Sequence, residues 1–97
     1  MSVIDFLFSI EDKRKLYLGE GDLFALKHFI SGFCVCSQVH GIEYGEEKMR
    51  AFGSFVCNAY AEKRSVSLYQ CIMERTQSTE EAFERFYELL HQFFDIP

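Results

Sequence analysis

The sequence predicts an all-α fold, a single-domain bundle of about five helices joined by short loops. Apolar residues recur at the three- and four-residue spacing that places them on one face of a helix. Residues that favour helix starts precede several of these runs, and the one proline is the last residue, so no helix is interrupted by proline. A chain of 97 residues supports one hydrophobic core, so we expect one domain over residues 1–97.

The first two predicted helices span residues 2–11 and 22–40. Ser2 and Asp5 have the spacing of a capping box, in which each side chain bonds the other residue's backbone N–H. Asp22 is a good N-cap for the second helix. That helix carries a broad apolar face and a second stripe, and two apolar stripes are typical of a central helix. The second stripe consists of Phe24, His28 and Val35.

The third helix is predicted over residues 45–63. Glu46 and Glu47 at its start and Lys63 and Arg64 at its end match the charges that the helix dipole favours. Gly53 lies inside it, where glycine costs about 1 kcal/mol relative to alanine. We therefore expect close contact with another helix at that position.

The last two helices are predicted over residues 66–76 and 78–95. Ser78 with Glu81 has capping-box spacing, and aromatic and leucine residues then follow at helical intervals. In the stretch between the first two helices, we expect Gly19 and Gly21 to turn the chain. Tyr17 and either Leu16 or Leu18 are expected to pack into the core.

Composition narrows the class of function. The formal net charge is −5, which argues against a nucleic-acid binder and fits a basic partner. No apolar run approaches the ~20 residues that a membrane span needs, and residues 1–10 lack the basic start of a signal peptide. We therefore expect a cytoplasmic protein with no membrane partner.

No pattern predicts catalysis, a metal or a cofactor. The sequence contains no nucleophile elbow, zinc-protease, P-loop or dinucleotide motif. The four cysteines lack the paired spacing of a zinc site, and we expect them to be buried free thiols. They are Cys34, Cys36, Cys57 and Cys71. A pH-dependent reactive thiol would be the first sign of an enzyme.

Acidic residues concentrate in the last third of the chain, where residues 66–97 hold six acids and two bases. Glu80, Glu84 and Glu88 recur every four residues and so line one strip of the last helix, with Glu81 beside them. This strip is either a solvated helix face or a docking surface for a basic partner. A second acidic group that could extend it consists of Glu43, Glu46 and Glu47.

The stretch from Arg14 to Phe33 resembles the pattern R-P-x-M-Y-L-G-x-x-S-L-x-x-L-x-x-F-I-x-G-Y of a group of small bacterial proteins, with one residue fewer between the arginine and the first tyrosine. Some members of that group are immunity proteins of contact-dependent growth inhibition and related polymorphic toxin systems. The chain departs from the pattern at Lys15, Leu16, Asp22 and Phe33. The matching residues are Arg14, Tyr17, Leu18, Gly19, Leu23, Leu26, Phe29, Ile30 and Gly32, with Phe33 standing where the pattern has tyrosine.

The resemblance implies an immunity protein that binds and neutralises a cognate toxin C-terminal domain without catalysis. A basic nuclease is the expected class of toxin, since an acidic inhibitor complements a basic surface. Tyr44 and Tyr69 are expected to be exposed aromatic anchors. The alternative is a small helical adaptor or regulatory subunit that acts through homo-oligomerisation, and an apolar patch left over on helix 22–40 would favour it.

Overall fold

A computed structural model describes residues 2–43 and 45–94, and within these ranges the chain is helical with no strand. The all-α prediction is therefore confirmed, and each of the five predicted segments contains a helix. One short helix in the joint between the first two segments was not predicted. The elements are α1 (Val3–Ser9), a 3₁₀ turn (Glu11–Lys13), α2 (Arg14–Leu18), α3 (Leu23–Val39), α4 (Glu46–Ala59), α5 (Leu68–Met73) and α6 (Thr79–Phe94).

Local hydrogen bonds explain where three of the helices begin. The Ser2–Asp5 capping box is present, with each side chain accepting from the other residue's backbone N–H. Asp22 accepts from the N–H groups of the two residues after Leu23. At α6, Ser78 Oγ accepts from the N–H of Glu81, but the Glu81 carboxylate accepts from the N–H of Gln77 instead of completing the box with Ser78.

The core lies where α4, α5 and α6 meet α1 and α3. Phe52 on α4 and Phe86 on α6 are fully buried and meet edge to face, with ring centroids 5.7 Å apart. The Tyr69 ring stacks beside Phe86. Tyr69 is only 7% exposed, so it is not the exposed anchor that the sequence suggested. Tyr44, the other expected anchor, lies outside the described residues.

The joint before α3 shows why its glycines are needed. A Cβ atom on Gly21 would lie 2.5 Å from the Ala25 Cβ and 2.9 Å from the Leu18 carbonyl oxygen, and Gly19 has a φ of +59°. Leu18 packs against the core as expected. Tyr17 remains 43% exposed, contrary to expectation, although its ring meets Phe6 and Phe29. Helix α2 is only about one turn long, so only one of its sides can face the core. Leu18 lies on that side and Tyr17 does not.

Two predictions about helix α4 and helix α3 need correction. α4 ends at Ala59, because Ala61 adopts a φ of +54°, so Lys63 and Arg64 do not lie in its last turn. The α3 helix packs on one side only, so its second apolar stripe is exposed and the helix is not central. Its buried side packs against α1, α5 and α6.

None of the helices built from the described residues combines the length and the apolar character needed to cross a membrane.

Candidate functional site: an acidic cleft

The predicted acidic strip lies on the exposed side of α6, but its three glutamates differ in their surroundings. Glu80 is paired with Arg14 at 2.6 Å, and this hydrogen bond lowers the pKa of the Glu80 carboxyl. Glu88 is only loosely paired with Arg85, at 3.8 Å. Glu84 is exposed and forms no ion pair with the residues that the structure describes. Glu84 and Glu88 are therefore the members most available to a partner.

Arg14 links α2 to the start of α6. Its guanidinium lies 4.3 Å from the centre of the Phe83 ring while it bonds Glu80, and its side chain is 18% exposed. A cation over an aromatic face and an ion pair act together here. The Glu80 carboxylate is therefore occupied by an ion pair that links the two helices.

Between the 3₁₀ turn and α6 lies a cleft of about 380 Å³. We call it the acidic cleft, because four carboxylates line it and two come from each wall. Rings form part of its lining, together with Arg14 and His91. The acids are Glu11, Asp12, Glu84 and Glu88, and the rings are those of Phe83 and Tyr87.

Two polar contacts join the walls of the acidic cleft. The Tyr87 hydroxyl donates to the Leu7 carbonyl oxygen at 2.8 Å, and burial raises the pKa of that hydroxyl. His91 Nε2 lies 2.8 Å from a Glu11 carboxylate oxygen. Both contacts link residues 80 positions apart, so α1 and the 3₁₀ turn are held firmly against α6.

Sequence reasoning missed Glu11 and Asp12 as members of the site. Both precede a run of three basic residues, which balances their charge locally. Their position beside Glu84 depends on the packing of α1 against α6, which periodicity does not reveal. The only signal in the sequence was an acidic pair at the end of the predicted helix 2–11.

The second predicted group does not extend the acidic cleft. Phe52 and Phe55 of α4 contact Phe93 near the end of α6, whereas Glu80 lies at the start of α6. None of Glu43, Glu46 and Glu47 is among the residues that line the acidic cleft. Glu46 pairs with Arg50 at 2.7 Å, and Glu43 accepts from the N–H of Gly45.

A second surface is apolar and lies on the side of α3 that faces away from the core. Its residues are separated by three or four positions and are all exposed. We call this surface the α3 outer face, and it consists of Phe24, His28, Gly32, Val35 and Val39. Ile42, just beyond the helix, is also more than half exposed.

The cysteines are free thiols, but only Cys71 is buried, so the expectation of four buried thiols was wrong. Cys36 is exposed near the end of α3, and the other two are partly buried. Burial raises the pKa of the Cys34 and Cys71 thiols, which is the opposite of the change that activates a nucleophile. Within residues 2–43 and 45–94, no three His, Cys, Asp or Glu side chains are grouped so as to hold a metal ion.

Comparisons with protein-family models, curated proteins and solved structures give no match for this chain. Function is therefore inferred from the chemistry of its surfaces together with the motif resemblance.

Proposed function

We propose that the chain is a cytoplasmic immunity protein that binds a basic toxin domain, with a nuclease as the expected class, and neutralises it without catalysis. One observation carries the proposal. Acids from two distant parts of the sequence line one cleft that also contains aromatic rings. The motif resemblance between Arg14 and Phe33 points to the same class of protein.

The acidic cleft suits a lysine or arginine side chain of a partner. The aliphatic stem of such a residue can lie against the rings of Phe83 and Tyr87. Its charged end would then meet Asp12, Glu84 or Glu88, whose carboxylates accept hydrogen bonds. Arg14 does not compete strongly for this position, because it is bound to Glu80.

The overall charge supports the same kind of partner. A net charge of −5 attracts a basic protein before the two molecules touch. Complementary charges raise the rate of association more than they raise affinity. A nuclease presents a basic surface to its substrate, so an acidic protein that covers or neighbours this surface can bind it selectively.

The first test is growth rescue. The C-terminal domain encoded by the gene directly upstream is expressed inducibly in a bacterial host, with and without this chain, and survivors are counted. We expect rescue and co-purification. A toxic domain that the chain neither binds nor neutralises would contradict the proposal for that pair.

The role of the acidic cleft is tested by the double variant Glu84→Lys/Glu88→Lys. Both residues are exposed, so the fold should be retained while affinity for the partner falls roughly tenfold or more. The matched control is Glu20→Lys/Glu47→Lys, which makes the same change in net charge at two other exposed acids. An equal loss in both variants would assign the effect to net charge and remove the cleft from the interface.

The alternative function, an adaptor that acts through homo-oligomerisation, is favoured by one observation, the exposed apolar side chains of the α3 outer face. This surface shares no residue with the acidic cleft, so pairing of two copies and binding of a basic partner do not exclude each other.

A further inference from the structure

We propose that Cys57 and Cys71 form a reversible redox site, in which a low-molecular-weight disulfide such as oxidised glutathione converts the two thiols into an intrachain disulfide that joins α4 to α5. Both residues are free thiols in the structure. They lie on helices that pack against each other. This inference concerns neither the acidic cleft nor the α3 outer face, and it does not depend on the binding of a basic partner.

The fold brings the two thiols together where α4 meets the start of α5. Cys57 lies in the last turn of α4, and its Sγ is 4.0 Å from the carbonyl oxygen of Val66, just before α5. Cys71 lies one turn into α5, where its backbone N–H donates to the carbonyl oxygen of Ser67, the residue after Val66, at 3.0 Å. The two thiols are close enough for a hydrogen bond between their side chains.

The two cysteines of α3 do not form such a pair. Cys34 and Cys36 are two positions apart in one helix, so their side chains point about 160° apart around its axis. A disulfide needs Cβ atoms that face each other at about 4 Å, which this arrangement does not allow. Cys34 and Cys36 therefore serve as an internal comparison for Cys57 and Cys71.

Access decides which thiol reacts first. Cys57 is partly buried and lines an open groove of about 560 Å³ between α4 and the segment that leads into α5. Cys71 is fully buried, and burial raises the pKa of its thiol. The attacking species in disulfide exchange is a thiolate that the incoming disulfide can reach. Cys57 is therefore the first nucleophile and Cys71 the second.

Arg75 supplies a positive charge beside the buried thiol. Its guanidinium Nη1 donates to Cys71 Sγ at 3.3 Å and to the Cys71 carbonyl oxygen at 3.0 Å. The same guanidinium lies over the Tyr60 ring, 5.0 Å from its centre, and 3.4 Å from a Glu62 carboxylate oxygen. These contacts hold the cation in place. Because a neighbouring cation stabilises a thiolate, Arg75 lowers the cost of ionising Cys71 in the second step.

The reaction consists of two balanced exchange steps. The Cys57 thiolate attacks one sulfur of oxidised glutathione, forms a mixed disulfide and releases one glutathione thiolate. The Cys71 thiolate then attacks the Cys57 sulfur, which forms the disulfide between the two cysteines and releases the second glutathione thiolate. The protons lost by the two cysteines pass to the released thiolates. The cysteine pair is thus oxidised by two electrons, glutathione disulfide is reduced, and excess reduced glutathione reverses both steps.

Peptide mapping of the oxidised chain tests the proposal. The folded full chain is incubated with oxidised glutathione, the remaining thiols are blocked with iodoacetamide, and the chain is digested with trypsin. Cleavage after Arg50, Lys63, Arg64 and Arg75 places the two cysteines in peptides 51–63 and 65–75. We expect these peptides, joined by a disulfide, to be the predominant cross-linked species. The absence of this linked pair would overturn the proposal.

The same oxidation in urea shows whether the fold favours the pairing. We expect the equilibrium constant of the link against the glutathione couple to be about tenfold or more higher in the folded chain than in urea. An equal or lower constant would overturn the proposal, because the packing of α4 on α5 would then give no advantage. A link that forms in buffer only with loss of the helical circular dichroism signal would overturn it as well.

Single variants separate the two steps. Cys71→Ser should stop the reaction at glutathione bound to Cys57. Cys57→Ser should slow the attachment of glutathione to buried Cys71 by about tenfold or more relative to its attachment to Cys57 in Cys71→Ser. The matched control is Cys34→Ser/Cys36→Ser, which should form the linked peptide pair as the unmodified chain does. Equal rates in the two single variants, or loss of the link in the control, would overturn the proposed site.

Discussion

Glu62 is an acid whose arginine neighbours favour its ionised form. Its carboxylate accepts from the backbone N–H of Arg64 at 3.1 Å and from the Arg64 guanidinium at 2.7 and 3.0 Å. Arg64 also pairs with Glu74, which ties the end of α4 to α5. Hydrogen bonds from Arg64 lower the pKa of Glu62 from 4.5 to about 2. The sequence predicted that Arg64 would lie at the end of the third helix and complement its dipole. In the structure Arg64 instead bonds Glu62 and Glu74.

The lowered pKa of Glu62 predicts a loss of stability in acid. Because the pKa is lower in the folded chain, the contribution is complete above about pH 4.5 and is lost as the pH falls toward 2. Glu62→Gln should therefore reduce stability at neutral pH and flatten its fall between pH 4.5 and 2. Urea unfolding at several pH values measures this.

The control for this prediction is Glu20→Gln, which removes an exposed acid from the loop before α3. Its stability should follow the pH curve of the unmodified chain. If the Glu62→Gln curve also ran parallel to that of the unmodified chain, the contact with Arg64 would contribute no pH-dependent stability.

At the scale of elements, two helical glycines have opposite environments. A Cβ atom on Gly53 would lie 3.4 Å from Leu68 Cδ2 at the start of α5, which is an ordinary van der Waals contact with a neighbouring helix. A Cβ atom on Gly32 meets nothing. A side chain larger than alanine would therefore meet another helix at Gly53 but open space at Gly32.

Gly53→Leu should destabilise the chain by roughly 1–3 kcal/mol, because the larger side chain must displace Leu68. Gly32→Leu, studied in dilute solution, is the matched control and should be neutral or stabilising. Thermal unfolding followed by circular dichroism compares the two. A neutral result at Gly53 would mean that α5 can move aside without cost.

The helix starts were predictable because their causes are local. Ser2, Asp22 and Ser78 each bond backbone groups within three residues, so the sequence alone indicates them. The sequence predictions were wrong where contacts between distant segments determine whether a side chain is buried or exposed. Tyr69 is buried because it stacks on Phe86 of another helix, and the α3 outer face is exposed because no helix packs on it. Glu11 joined the acidic cleft for the same reason, through a contact with His91.

At the scale of the whole molecule, the charge acts differently on the two surfaces. The chain measures 37 × 29 × 27 Å. Electrostatic screening acts over about 30 Å at 0.01 M salt but only about 8 Å at 0.15 M. In dilute salt the entire charge of −5 therefore acts at either surface, whereas at physiological salt each surface is governed by its own residues.

Salt should consequently change the two candidate associations in opposite directions. Raising it from about 0.01 M to about 0.15 M should strengthen the dimerisation of the alternative function, because two chains of −5 repel each other less. The same change should weaken binding of a basic partner at the acidic cleft and slow its association. Sedimentation and surface-based kinetics measure the two effects. A dimer that weakens with salt would have ion pairs at its interface and would not use the α3 outer face.

The contacts that join the walls of the acidic cleft also determine the stage of folding at which the cleft forms. The bonds from Tyr87 to Leu7 and between His91 and Glu11 each close a loop of about 80 residues, and long loops are slow and entropically costly to close. Local helices can form well before this closure, but the paired walls cannot. A partner that touches both walls would therefore bind only chains that have completed folding.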